Sequence, residues 1–155
     1  MNAIHVHLML THVPVLGTVF GLGLLLVALW RRSDEVKKVA LGVFVLAALF
    51  AVPVYLTGEP AEDGVKGLPG VTKAVIEDHE EAAEVAFTSL VILGVGALAG
   101  LFFFRRGKAV PGWFGAGLLA AALVVGGLMI WTANLGGRVR HTEIRSQTVP
   151  SAGGR

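Results

Sequence analysis

The sequence predicts an all-α fold, an integral membrane four-helix bundle running up-down-up-down, and three observations predict it. Of 155 residues, 54% are hydrophobic and 15% charged, with a mean hydropathy of +0.72, outside the range of a soluble domain. Four apolar runs, His5 to Trp30, Val39 to Thr57, Val85 to Phe104 and Trp113 to Ala133, are each long enough to cross ~30 Å of hydrocarbon at ~1.5 Å per helical residue. The stretches between them carry the charges, glycines and prolines that end helices.

The first run starts without a basic segment and reaches Trp30 without a small-residue cleavage site, so it reads as a retained span rather than a removable signal peptide. "RRSDEVKK" follows, short and basic, and leads into the second span. The next connection runs from Gly58 to about Glu84 and sets eight acidic residues against Lys66 and Lys73. Its "GEPAEDGVKGLPG" predicts an irregular crossover that turns helical only near Val71, placed to act as a lid. "RRGKAVPG" joins spans three and four, with Pro111 and Gly112 set for a helix start. One domain is expected over 1–145, and the small, polar 146–155 reads as a flexible tail.

Basic residues in the two short loops place these in the cytoplasm of a bacterial inner membrane, with both termini and the acidic connection periplasmic. Arg138, Arg140, Arg145 and Arg155 fall on the acidic side, so the orientation rests on the short loops. Trp30 and Trp113 fall at the inner interface and Trp131 at the outer, where indoles prefer to sit. "GTVFG" and "GALAG" are small-xxx-small patterns suited to close packing within the bundle.

The chain has no cysteine, which excludes disulfides, thiolate-held iron–sulfur clusters and covalently attached c-type haem. It shows no nucleophile–base pair and no phosphate-binding loop, so neither a hydrolase nor a nucleoside triphosphatase is expected. The basic residues are explained by lipid orientation, so no nucleic-acid role is expected.

The five histidines are the distinctive feature. His5, His7 and His12 begin span one, His79 leads into span three and His141 follows span four, which puts all of them at one face of the membrane. His5 and His12 share a helix face about 10 Å apart, and His7 points roughly 140° away from His12. Opposite ligands of one porphyrin iron must come from facing helices, so partners for the first three must be His79 or His141. Spans one and three are diagonal in such a bundle, where a b-type haem could insert with its propionates toward Arg138 and Arg140. Glu84, near Thr88, is the carboxylate of "EDHEEAAE" expected to enter the membrane as a proton carrier or hydrogen-bond partner of an imidazole. Histidine with carboxylate could equally build a copper or zinc site.

"HLMLTHVP" resembles the His-Pro-x-x-Val-His-Phe-Pro opening of the bacterial membrane family known as domain of unknown function 2231, with Leu8 and Val13 in place of the family's Pro and Phe. "LTGEPAEDG", the histidine of "EDHEEAAE" and "LGGRVRH" extend the resemblance over nearly the whole chain. It implies functional roles for His7, His12, His79 and His141, with Gly136 and Gly137 as the turn before the last. Similar domains occur fused to Rieske-type iron–sulfur domains, which implies a redox setting.

The expectation is therefore a membrane b-type cytochrome with one or two haems, carrying electrons between a quinol and a periplasmic redox partner or a partner subunit. His12 with His79 is the first expected ligand pair and His7 with His141 the second. His7 with His79 is the alternative if His79 lies high in its helix. Tyr55 and Asn134 lie where a quinone could be held. The other readings are a copper- or zinc-binding membrane protein using "HVH" and His79, and a structural subunit of a larger complex or homo-oligomer.

Overall fold

Four helices form, α1 (Ala3–Arg31), α2 (Asp34–Asp63), α3 (Lys73–Phe103) and α4 (Gly112–Arg140), in a computed structural model that describes residues 3–67 and 71–140. All four are long and apolar enough to cross a membrane, and the protein is a multi-pass membrane bundle. Each expected span lies within its helix or ends at its cap. Ser33 caps α2 by accepting from the Val36 N–H at 3.4 Å, and Thr72 caps α3 by accepting from the Val75 N–H at 3.4 Å. Asp34 and Glu35 occupy the first turn of α2, where the helix dipole favours acid.

Each helix packs on the next and α4 closes onto α1, so α1 and α3 are diagonal. Leu25, Leu41, Phe44, Leu90 and Ala97 form the buried centre. Large apolar side chains such as Leu16, Phe20, Ile92, Val124 and Ile130 point outward, as lipid as solvent allows. The small-residue patterns serve packing inside the bundle. A Cβ on Gly21 would stand 2.7 Å from the Phe44 ring, and one on Gly100 2.6 Å from Phe114. Gly94 gives α3 its closest approach to Ala48 of α2.

The crossover differs from the sequence expectation. Gly58 to Asp63 is helical, and α2 continues through Pro60. Proline removes one helical hydrogen bond, a loss membrane helices tolerate. Lys66 reaches back to Glu62 at 3.0 Å and Asp63 at 2.8 Å, neutralising the acids at the unfavourable C-terminal end. Only Gly64–Gly67 forms a turn before the segment 68–70, and helix resumes at Lys73.

At the opposite end, the first turn of α2 grips the segment that leads into α4. The Lys37 ammonium is buried and donates to the Val110 carbonyl at 2.8 Å. The Lys38 ammonium donates to the Lys108 carbonyl at 2.9 Å and pairs with Asp34 at 2.9 Å. Asp34 in turn accepts from the Val110 N–H. The two hairpins are thus tied at the end remote from the histidines.

Candidate functional site

The start of α1, the end of α2, the start of α3 and the end of α4 meet at one end of the bundle, and this is where the described histidines lie. His7 is half-buried against α2. Its Nδ1 lies 3.1 Å from the Val54 carbonyl and 3.2 Å from Thr57 Oγ1. A carbonyl only accepts, so Nδ1 carries the proton and Nε2 keeps its lone pair. Thr57 donates in turn to the Pro53 carbonyl at 2.8 Å, which fixes its hydroxyl as acceptor for His7. Gly58 lies beside the same ring, 3.9 Å from its Cε1 to a Cβ placed there.

His79 projects from α3 toward α4, where a Cβ on Gly136 would stand 3.0 Å from its ring. Its Nδ1 is buried and has no hydrogen-bond partner. Such an atom costs about 1–3 kcal/mol until something fills its valence.

The expected His12–His79 pair is not brought together. Tyr55 stacks on Phe87 with ring centroids 4.5 Å apart, which sets the register of α2 against α3. His79 precedes Phe87 by eight residues, so it stands about 12 Å farther out along the axis. His7 bonds to Val54 and Thr57, which flank Tyr55, so it lies near the Phe87 level, and His12, five residues later, lies about 7 Å farther in. It is also exposed, and its Nδ1 donates to the Leu8 carbonyl of its own helix at 2.8 Å. Of the two pairs, His7 with His79 is the nearer in height. By the same register His79 still stands about 12 Å farther out than His7 along the axis.

His5 is exposed, and His141 lies outside the described residues, as does its expected pairing with His7. Gly136 and Gly137 are within α4, not in a turn. Gly136 instead makes room for the His79 ring. Glu84 is exposed on α3, and Asn134 is exposed on α4. Among the described residues no three His, Cys, Asp or Glu side chains converge on a common metal position, so the set of "HVH" with His79 is not assembled.

Thr57 was invisible to sequence reasoning because its role depends on the α1–α2 register. Its place three residues after Val54 on a helix that ends beside His7 is the only signal, and many threonines satisfy it. No family model, no curated protein and no solved structure matches the chain, so the likeness to domain of unknown function 2231 is one of motifs alone.

Proposed function

We propose that the histidine end holds a b-type haem with His7 and His79 as the residues that would ligate it, in a bacterial inner membrane protein that passes electrons between a quinol and a periplasmic partner or partner subunit. The observation that carries this reading is the buried Nδ1 of His79, left without a hydrogen-bond partner at the end of the bundle where His7, on the diagonal helix, is anchored through its own Nδ1. The donor set suits the group in number. A porphyrin supplies four ligands of its own, so two imidazoles complete the iron, whereas structural zinc takes about four protein donors. Bound haem supplies one-electron chemistry.

The chain's own residues orient and exclude. Val54 and Thr57 hold the His7 ring and leave its Nε2 free to coordinate. Gly58 and Gly136 keep bulk low beside the rings. Inward of them Ala51, Ala82 and Ala86 are buried and close the interior, which confines a ligand to the outer end. Tyr55, next in sequence to Val54 and stacked on Phe87, offers a half-exposed aromatic surface for a quinol approaching from lipid. The basic loops at the other end support an orientation with both termini in the periplasm.

A visible spectrum of the detergent-purified protein tests the reading. A reducible low-spin haem spectrum is expected, lost in His7→Ala and in His79→Ala and retained in His5→Ala and His12→Ala. Colourless protein carrying stoichiometric copper or zinc replaces haem by a metal ion. Colourless, metal-free protein leaves a structural subunit.

A further inference from the structure

The end of the bundle remote from the histidines carries a second candidate site. Helix α3 ends at Phe103, and the turn after it takes left-handed backbone at Arg106 (φ 57°) and Gly107 (φ 80°). That conformation is costly for arginine. It folds the chain back so that the Lys108 N–H donates to the Arg105 carbonyl at 3.3 Å. A hollow of about 280 Å³ results, lined by Phe102, Phe103, Arg105, Arg106 and Lys108. Its polar walls are three cations, and its floor is two exposed phenylalanines at the edge of the apolar span.

The charges at this end are divided between two tasks. Lys37 and Lys38 are engaged by Asp34 and by backbone carbonyls of residues 110 and 108. Those contacts hold the turn in place from α2. Arg105, Arg106 and Lys108 have no carboxylate partner among the described residues. The Arg105 guanidinium lies 4.0 Å over the Phe102 ring, which fixes its stem without neutralising it. The turn therefore presents three cations without a carboxylate partner among the described residues above an apolar floor at the end of the span.

We propose that this hollow binds the phosphate group of an anionic phospholipid, with Arg105, Arg106 and Lys108 around the phosphate and Phe102 and Phe103 against the first carbons of the acyl chains. Guanidinium groups match phosphate oxygens bidentately, and basic pockets at membrane-facing helix ends take anionic headgroups.

The test reconstitutes the full chain in vesicles of mixed phosphatidylglycerol and phosphatidylcholine, extracts it gently and measures the retained lipid. Wild-type protein is expected to retain phosphatidylglycerol above its bulk fraction. The triple variant Arg105→Gln, Arg106→Gln, Lys108→Gln should bring the retained phosphatidylglycerol back to its bulk fraction. Arg31→Gln with Arg32→Gln, a loss of two charges at the neighbouring turn, should lower it less than twofold. Circular dichroism and elution volume confirm that each variant is folded. No enrichment in wild type, or an equal loss in the Arg31/Arg32 variant, overturns the proposal, the latter because bulk charge then accounts for the effect. Displacement of the retained lipid by inorganic phosphate alone also overturns it, since the site would then hold a soluble anion.

Discussion

His7 and His12 show how much a single residue's position can and cannot say. Helical periodicity gives their relative direction, and the direction was legible: they point to different sides of α1. Height against another helix was not, because it depends on which small residues of α1 and α2 nest together, and Gly17 on Ala47 decides that only in three dimensions. Two substitutions test the residue-scale account. Thr57→Val keeps the shape of α2 but removes one acceptor from His7, while the Val54 carbonyl remains. The expected cost is about 1 kcal/mol of stability, the worth of one hydrogen bond, read by denaturant unfolding in detergent micelles. Gly136→Val places branched carbons where a Cβ already stands 3.0 Å from the His79 ring. It should displace the imidazole and shift its ring-nitrogen resonances, whereas Gly137→Val, with no neighbour within 4 Å, should leave them in place.

The helices themselves were largely readable, since four long apolar runs admit few other outcomes in lipid. What escaped was the end of α2. Gly58 and Pro60 read as loop because those residues break helices in water, yet helix persists to Asp63. Lys66 supplies part of the reason. Asp63 and Glu62 hydrogen-bond its ammonium and raise its pKa above the usual lysine range. A raised value means that the favourable linkage is fully present below the ordinary lysine pKa and is lost only as pH rises through the elevated one. The pair therefore operates unchanged at neutral pH. Lys66→Gln should fray the last turn of α2, seen as faster amide exchange over residues 61–63 with exchange near Ala51 unaltered. Equal protection in both proteins would remove Lys66 from the account of why the helix continues.

At the scale of the whole molecule, the bundle separates a histidine end from a basic end, and the two are joined by helices about 45 Å long. The clasp at the basic end was not legible in the sequence. "RRSDEVKK" signals orientation through its charge, but nothing in it shows that Lys37 is buried and that both lysines reach carbonyls some 70 residues away. Asp34 is the hub: it pairs with Lys38, lies 3.9 Å from Lys37 and accepts from the Val110 N–H. Asp34→Ala removes all three contacts and leaves the Lys37 ammonium with the Val110 carbonyl alone. Breaking one partner of a fully buried pair costs about 3–5 kcal/mol. Asp34 is 30% exposed, so solvent screening reduces the expected loss to about 2 kcal/mol. Because the clasp ties one hairpin to the other, the loss should appear as easier separation of α1–α2 from α3–α4 in sodium dodecyl sulfate. The His79 resonances at the far end should not move. A variant as resistant to the detergent as wild type would show that apolar packing alone holds the hairpins together.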